Sequence, residues 1–433
     1  MQGLRTAKYE WLWAHDVTNT KWEKLAPQSP QYLAVPRDST LQAEYEKNWK
    51  ITDAMPVNSV GIVTARDSLT IHWTAEDAWR IAKEFAALPT EEARDKFELG
   101  SDSQDWTVKL AQNDLNLAGP NRDKLAAVLY RPFDVRHTYY TGKPSVFHCR
   151  PRSEVMTHML AIHNLGFGTT RSIEIGAGWE HMFAVDGLFT HHSVSIKEVN
   201  YLFPLYLYPS PKTSLFDEAE TSAAPGGRRP NFDPEFIAAC GRSIGAKWIS
   251  DGEGNVEKKG VPTVGPEDVF HYAYAVFYSP GYRARYAQFL KTDFPRLPLT
   301  SNRALFAALV RLGKALVGLH LMRTTAPALC SYPVAGDNKV DKVVFEAASP
   351  TAEAGKVFIN ATQHFANVPR TVWSYQVGGY QVAHKWLKDR KGRLLTFADL
   401  QHYGQVVAAL SCTIGMQGEI DDAIHAAGGW PLV

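Results

Sequence analysis

Apolar residues recur along the chain at two spacings, one typical of helices and one typical of short strands. At the start of one helical pattern, Thr74 is followed three residues later by Asp77, which is the arrangement of a helix N-cap. Patterns of this kind predict helices over 5–15, 90–130, 153–163, 234–244, 266–278, 280–291, 301–320, 382–388 and 396–414. No internal repeat accompanies them, so a repeat architecture is not predicted.

Strand-like patterns dominate the segment 129–209, where short apolar runs alternate with Gly, Pro and Asn. Strands are also predicted at 59–64, 342–346 and 356–359. Tyr32–Val35 predicts a short strand with proline at each side, and Asp251–Asn255 predicts a tight turn between two strands. Residues 210–231 are rich in Pro, Ser and Gly and predict a surface loop. Together these patterns predict a mixed α+β fold.

The composition is that of a globular protein, with 433 residues of which 45% are hydrophobic and 21% charged. This length is enough for two to four domains. With 46 Lys and Arg against 45 Asp and Glu, the net charge is +1, so a basic coat over the whole surface is excluded and any nucleic-acid site must be local. Four scattered cysteines without a CxxC motif do not support a zinc ribbon and fit a reducing cytoplasm. The longest apolar helix carries Arg311 and Lys314, so no membrane span is predicted.

Motifs for catalysis are incomplete. Gly241–Lys247 has one residue too few between its glycines for a phosphate-binding loop, and Gly166–Gly168 lacks the third glycine of a dinucleotide fingerprint. Asp233–Phe236 resembles an amino-methyltransferase motif, but Glu replaces its second proline, so we interpret Asp233 as a helix N-cap. The sequence therefore shows no complete catalytic constellation.

Basic residues concentrate in two stretches. The first contains Arg131, Arg136, Lys143, Arg150, Arg152 and Arg171, with Tyr139, Tyr140 and Phe147 among them. The second contains Lys385, Lys388, Arg390, Lys391 and Arg393. Cations interleaved with aromatic and amide side chains suit phosphate contacts and reading of base edges. The alternatives are a solvated rim in which Arg131 pairs with Asp134 and, for the second stretch, a solvated helix end.

Several strings together resemble the C-terminal region of Type ISP restriction–modification enzymes. They are Arg131–Asp134 followed by Tyr139-Tyr140, Arg150–Met156, Asn164–Gly166, Tyr201–Pro209, Tyr278–Arg283 with Phe289–Lys291, and Gly378–Gln381 with Lys385–Leu387. The resemblance extends over nearly the whole chain. It implies a parent polypeptide with nuclease, helicase-like ATPase, coupler, adenine-N6 methyltransferase and target-recognition parts.

The resemblance also implies a division of the chain. Residues 1–85 resemble the end of a methyltransferase domain, 86–130 a helical connector, and 131–433 a target-recognition domain. The family's S-adenosylmethionine-binding glycine motif and its Asn/Asp-Pro-Pro-Tyr motif are not found in this sequence. We therefore expect no cofactor in this chain, and we expect S-adenosylmethionine, ATP and Mg²⁺ only in other parts of the parent enzyme.

The function predicted is sequence-specific recognition of double-stranded DNA by a module without a catalytic core. The predicted DNA-binding residues are Lys143, His148, Arg150, Arg152, Arg171, His192, Lys197 and Gln376. Arg150 and Arg152 are expected to share one face of an extended segment. The predicted partners are DNA and the methyltransferase, helicase and nuclease domains of a cytoplasmic parent enzyme. Two alternatives stay open, a compact methyltransferase or nuclease with degenerate motifs and a docking module of a phage-defence complex.

Overall fold

Helices and short strands alternate along the chain, which confirms the mixed α+β class. The computed structural model describes residues 2–22, 24, 38–144, 146–161, 163–174, 178–209 and 224–432. The chain forms two compact units, Met1–Ala43 and Glu44–Val433. Within the described part, no helix is long and apolar enough to cross a membrane.

The bounds of the elements are as follows. The helices are α1 Gln2–Ala14, α2 Ser39–Glu46, α3 Ile51–Ala54, α4 Asp67–Thr70, α5 Ala75–Ala87, α6 Thr90–Lys96, α7 Val108–Ala118, α8 Ser153–Leu160, α9 Pro234–Ile244, α10 Pro266–Tyr278, α11 Pro280–Arg285, α12 Ala287–Leu290, α13 Arg303–His320, α14 Arg370–Ser374, α15 Val382–Lys388 and α16 Phe397–Ala426. The strands are β1 Trp49–Lys50, β2 Ser59–Val60, β3 Leu125–Arg131, β4 Asp134–Tyr139, β5 Gly166–Thr170, β6 Met182–Val185, β7 Leu188–Phe189, β8 Asn200–Pro204, β9 Tyr206–Leu207, β10 Arg229–Pro230, β11 Lys247–Trp248, β12 Thr263–Val264, β13 Arg296–Leu297, β14 Val344–Ala347, β15 Ala354–Phe358, β16 His364–Pro369, β17 Gln376–Val377 and β18 Tyr380–Gln381.

Helices with clear capping residues were predicted closely. The Thr74 hydroxyl accepts a hydrogen bond from the Asp77 amide at the start of α5, as predicted. Asp233 caps α9 by accepting from the amides of Glu235 and Phe236, with Pro234 in the first turn. These caps depend on residues close in sequence, so they are visible without tertiary information.

Three local predictions were wrong. The predicted helical stretch 90–130 ends in a strand, β3, whose alternating apolar residues pair with β4. Asp251–Asn255 lies between two strands, as predicted, but it is not a tight turn that joins them, because β11 and β12 are parallel and the chain between them is a crossover connection. Helix α16 continues to Ala426, well beyond the predicted end, and runs through Gly415 and Gly418.

Two further predictions fall partly or wholly on residues that are not described. Tyr32–Val35 lies outside the described residues, as do residues 210–223 of the predicted loop. The end of the predicted loop is not a loop, because Arg229 and Pro230 form strand β10, which pairs with β9.

Two sheets bring distant parts of the larger unit together. One has the order β2-β8-β5-β6 with antiparallel neighbours, and the other has the order β4-β3-β7. The proposed division at 85/86 and 130/131 stays a prediction. In the structure β2, which precedes residue 85, pairs with β8, and β3 runs across position 130.

Helices α10, α13 and α16 pack beside these sheets and form the hydrophobic interior. Almost all of α10 is buried, and the ring of Phe270 stacks on Phe167 of β5 with 4.1 Å between ring centres. The backbones of α10 and α13 approach closely at Gly313, where a Cβ atom would lie 1.8 Å from the carbonyl oxygen of His271. Glycine is therefore required at this crossing.

A polar network lies inside this helical layer around His320. The imidazole Nδ1 lies 2.5 Å from the Tyr274 hydroxyl, and Nε2 lies 2.9 Å from the hydroxyl of Thr413. Because the Thr413 hydroxyl donates to the carbonyl of Ala409, it accepts from Nε2–H, and Nδ1 is left as an acceptor. Burial lowers the pKa of His320 from 6.5 to about 3, so the neutral ring is built into the fold.

We expect the replacement His320→Gln to weaken the pH dependence of stability. Below pH 6.5 the unfolded chain takes up a proton at this histidine, whereas the folded chain does not until about pH 3, so the free energy of unfolding falls as the pH falls between these values. Urea unfolding at pH 7 and pH 5 should show a smaller loss for His320→Gln than for the unchanged chain. The control His425→Gln changes an exposed histidine and should keep the full loss. Equal losses in all three proteins would contradict this account.

Candidate nucleic-acid interface

The two basic stretches of the sequence meet at one buried carboxylate. Asp134 opens strand β4 directly after Phe133, whose φ of 62° makes the tight β3–β4 turn. Its carboxylate lies 2.8 Å from the guanidinium of Arg136 and 2.9 Å from that of Arg390. All three residues are buried, Asp134 being 1% exposed. Residues 256 positions apart in sequence are thus joined in a single ion-pair network.

Aromatic rings lie between these guanidinium groups. The Trp73 ring lies 3.7 Å from the guanidinium carbon of Arg136, 4.7 Å from that of Arg390 and 4.1 Å from that of Arg393. A second ring, that of Tyr130, lies 3.9 Å from the guanidinium carbon of Arg136 and 3.9 Å from that of Arg131. Stacking on aromatic faces is favourable for weakly hydrated guanidinium groups. Trp73 therefore lets three arginines lie close together.

A turn that contains two histidines continues this surface. The carbonyl oxygen of His192 accepts from the Arg131 guanidinium at 3.2 Å and from the Tyr380 hydroxyl at 2.7 Å. The His191 ring lies 3.8 Å from the His192 ring. The backbone amide of His191 donates to the carbonyl oxygen of Ile62. Val63, the residue after Ile62, forms an antiparallel bridge with Arg150. Arg150 is therefore held beside the histidines by one extended segment.

We name this surface the cationic strip. It consists of Arg131, Arg136, Arg150, His191, His192, Lys385, Arg390 and Arg393, with Trp73, Tyr130 and Tyr380 between them. Its acidic neighbours are Asp67, Asp105, Asp134 and Asp389, each bonded to a member of the strip. Cations outnumber carboxylates, and several of the cations are fixed by burial. The strip can hold anions on a rigid aromatic support.

Burial and ion pairing determine the pKa values and the exposure of the groups inside the strip. Burial lowers the pKa of the Arg390 guanidinium, and the Asp134 carboxylate opposes that change. The lowered pKa of His191 is also due mainly to burial, with the neighbouring His192 as a smaller cause. Arg150 is different, because its side chain is half exposed and pairs at 2.9 Å with Asp105. Arg150 is thus a member of the strip that can reach a ligand from the surface.

Four of the predicted DNA-binding residues have exposed charges that pair with an acidic side chain. Besides Arg150, they are Lys143 with Asp114 at 3.7 Å, Arg171 with Asp293 at 3.3 Å, and Lys197 with Glu174. The cations of these pairs are solvent-exposed, but Asp114 is buried, so Lys143 exchanges its partner at a higher cost than the others. Their roles as DNA contacts stay predictions.

Two predicted residues require correction. His148 is fully buried, its Nε2 lies 2.9 Å from the Thr138 hydroxyl, and burial lowers its pKa to about 4. A neutral ring in the interior cannot reach a duplex, so we withdraw His148. Arg152 does not share an extended face with Arg150, because it has a φ of 55° and precedes α8. The left-handed conformation at Arg152 breaks the alternation on which that prediction rested.

The two remaining residues of the eight lie at different places. His192 belongs to the cationic strip. Gln376 lies with Lys197 in a cleft of about 740 Å³ whose lining includes Glu174, Glu180, Glu198, Lys197, Tyr375 and Gln376. We name it the glutamate cleft. The hairpin β17–β18 separates it from the strip, since Gln376 lies in the cleft and Tyr380 in the strip.

No metal centre is found among the described residues. No group of three or more His, Cys, Asp or Glu side chains is placed to hold a metal ion there. His181, which also lines the glutamate cleft, has its pKa lowered to about 4 by burial and lies 3.8 Å from Glu198. It packs as a neutral histidine.

Sequence reasoning identified both basic stretches but not their connection. Trp73, Tyr130 and Tyr380 carried no signal of a binding surface, since each lies in an ordinary apolar pattern. The two stretches are separated by more than 200 residues, and nothing local indicates that Arg390 meets Asp134. The strand pairing and the packing of α15 bring them together.

The fold and the cationic strip define this protein as a mixed α+β module with a surface on which fixed cations are concentrated. Comparison with family models gives a match to the Type ISP C-terminal specificity domain over residues 53–411. The chain belongs to that family. No curated protein matches the sequence.

Solved structures share the fold. The DrdV–DNA complex, solved by cryo-electron microscopy, matches with a TM-score of 0.67 and 18% identity over 96% of this chain and 42% of that chain. A nuclease-deletion mutant of the Type ISP restriction–modification enzyme LlaGI, in complex with a DNA substrate mimic, matches with a TM-score of 0.61 and 17% identity over 93% of this chain and 31% of its own. The ATP-dependent Type ISP enzyme LlaBIII bound to DNA matches with a TM-score of 0.61 and 14% identity, over 93% of this chain and 25% of that chain. This chain thus spans less than half the length of these enzymes.

We expect Asp134→Asn to destabilise the fold by about 3–5 kcal/mol, because it leaves the buried Arg136 and Arg390 without a counter-charge. Urea unfolding at pH 7 measures the change. The control Glu257→Gln breaks the exposed pair with Arg311 and should cost about 1 kcal/mol or less. Similar small losses for both variants would show that the buried network contributes little.

Proposed function

We propose that this chain is the part of a Type ISP-like restriction–modification enzyme that binds double-stranded DNA and selects the sequence on which the enzyme acts. The observation that carries the proposal is the cationic strip. Family membership supports it, and so do the DNA-bound states of the three structural neighbours.

The strip suits the phosphate backbone. Guanidinium groups bind phosphate oxygens through paired N–H donors, and a fixed group loses less entropy on binding than a flexible one. Arg131, Arg136 and Arg390 are fixed by burial and stacking, while Arg150 and Arg393 are more accessible. The buried cations supply positive potential and the accessible ones supply contacts.

Sequence selection requires contacts to base edges beside the phosphate contacts. The strip borders the turn that carries His192 and the hairpin that carries Gln376. Imidazole and amide groups can both donate and accept hydrogen bonds, which is what discrimination between base pairs needs. These two residues are therefore proposed as readers, and Lys143, Arg171 and Lys197 as phosphate contacts.

The chemistry is assigned to the rest of the parent enzyme. We propose that adenine-N6 methylation, ATP hydrolysis and DNA cleavage take place in parts outside this chain, within a cytoplasmic phage-defence enzyme. The neighbours are two to four times longer than the region matched, which leaves room for such parts. Helix α1 offers a contact for the methyltransferase part, because Trp11, Leu12 and Trp13 are exposed on it.

We expect the chain to bind duplex DNA with an affinity that falls steeply as salt is added, since each phosphate contact releases counterions. Arg150→Ala and Arg393→Ala should each raise the Kd several-fold and reduce the slope of log Kd against log salt by about one. Fluorescence anisotropy with a random duplex and with the motif methylated in the source organism measures both quantities.

Arg311→Ala is the matched control for Arg150→Ala. Arg311 lies on α13, outside the strip, and also forms an exposed ion pair, with Glu257. The replacement Arg311→Ala should leave the Kd for duplex DNA unchanged. Very weak, salt-insensitive and equal binding of the two duplexes by the unchanged chain would refute the proposed function.

A separate prediction concerns the methyl donor. We expect titration calorimetry to detect no binding of S-adenosylmethionine by this chain at micromolar concentrations, because the glycine motif that would hold it is missing from the sequence. Micromolar affinity would instead favour the alternative of a compact methyltransferase.

A further inference from the structure

One carboxylate in the glutamate cleft makes no hydrogen bond or ion pair among the described residues. Glu198 accepts from the Ser195 hydroxyl and from the Glu174 amide, and Glu174 pairs with Lys197. Glu180, in contrast, accepts no hydrogen bond through its side chain and forms no ion pair in the described part of the chain. Burial raises its pKa, and the nearby charge of Arg283 opposes that rise only in part. A largely desolvated carboxylate without donors is costly to the fold. Such a group is expected where a ligand supplies the donor.

The polar groups beside Glu180 are only partly paired. The buried Tyr375 hydroxyl faces the Arg283 guanidinium, whose charge and hydrogen bonding oppose the rise in the pKa of Tyr375 that burial causes. The neighbouring Gln376 is exposed, and its side-chain amide makes no hydrogen bond in the described part of the chain. Among the described residues, Gln376 and Glu180 therefore leave an amide and a carboxylate without hydrogen bonds at one place. The cleft is polar but not satisfied, which is typical of a recognition site.

The backbone fixes Glu180 beside Gln376. The amide of Gly378 donates to the carbonyl oxygen of Glu180 at 2.8 Å, and the amide of Gly379 donates to Val194. A Cβ atom at Gly378 would lie 2.1 Å from the carbonyl oxygen of Val194, and its φ is 57°. Only glycine permits this close approach, so the hairpin β17–β18 is held against the segment that carries Glu180.

Charge separates the cleft from the strip. The cleft contains three glutamates and one lysine, so it repels phosphate, whereas the adjoining strip attracts it. A duplex whose backbone lies on the strip would present base edges, not phosphates, at the other side of the hairpin. On those edges only adenine N6 and cytosine N4 offer major-groove amino donors. Carboxylates accept from such groups, and a glutamine can contact adenine at two atoms.

We propose that Glu180 and Gln376 form a base-reading subsite that takes an amino-bearing base, adenine or cytosine, of the recognition sequence. This inference rests on the proposed function and adds the chemical class of base and the residue, Glu180, that selects it. Glu180 accepts from the exocyclic amino group, and Gln376 supplies the second contact. A keto base, guanine or thymine, would place its oxygen against the carboxylate and be rejected.

The test is selection of bound duplexes from a randomised pool by the full chain, followed by sequencing. The unchanged chain is compared with Glu180→Gln, Gln376→Ala and the control Glu346→Gln, which changes an exposed glutamate on β14. We expect the unchanged chain and the control to select one motif. Glu180→Gln should reduce the preference for adenine or cytosine at one position about tenfold, because the amide can also donate to a keto oxygen. Affinity for random duplex should not change.

Base analogues then identify the atom and the base. Purine in place of the selected adenine, or 2-pyrimidinone in place of the selected cytosine, removes the amino group. Either should weaken binding by the unchanged chain about tenfold, and have no further effect on Glu180→Gln. The analogue that weakens binding shows whether the selected base is adenine or cytosine.

The outcomes separate the two proposals. If the unchanged chain selects no motif, the proposed function fails. If it selects a motif and both Glu180→Gln and Gln376→Ala select that motif with unchanged preference at every position, the proposed function stands and the subsite is refuted. Circular dichroism checks folding, and if Glu180→Gln does not fold, Gln376→Ala decides, because the exposed Gln376 has no internal partner to lose.

Discussion

The contact on which the rest of the surface depends is the carboxylate of Asp134 between two buried arginines. Burying Arg136 and Arg390 is costly unless each has a counter-charge, and Asp134 provides one for both. Because Arg390 follows α15 and Asp134 begins β4, the same contact joins the C-terminal helices to the β4-β3-β7 sheet. The stacked rings of Trp73 and Tyr130 then hold the guanidinium groups in place. A surface of positive potential is thus built into the packing of the fold.

Positive and negative charges are concentrated in different regions of this protein. The net charge is close to zero, yet the strip has an excess of cations and the glutamate cleft next to it an excess of carboxylates. At physiological salt, potentials fade over about 8 Å, so neighbouring regions of opposite sign can act separately. A ligand that carries anions at its edge and amino donors in its grooves matches this division. Duplex DNA has that chemistry.

The buried histidines and tyrosines have a structural role in the interior. His320, His148 and His181 are kept neutral by burial. The rings of His320 and His148 bond to hydroxyl groups, and the ring of His181 accepts from the amide of Glu180. Histidine near a basic stretch was a reasonable candidate for DNA contact, but burial decides its role. Of the two histidines predicted to bind DNA, His192 lies in the strip, at a turn, whereas His148 is enclosed between Tyr140 and Phe147. Exposure at one position and enclosure at another depend on packing that no local pattern reports.

Sequence alone was enough for the helices with strong caps, such as α5 and α9, for the β-rich character of 129–209, and for the two basic stretches, because each depends on residues close together in the chain. It was also enough for the family resemblance, which rests on strings of adjacent residues. Only the tertiary structure showed that β11 and β12 are parallel, that Arg152 turns away from Arg150, and that Asp134 joins the basic stretches. The position of Glu180 beside Gln376 likewise appears only when the hairpin at Gly378 packs against a distant segment. The physical reason is the same in each case, because ion pairing, stacking and burial act over distances in space, and residues far apart in sequence reach those distances only after the chain has folded.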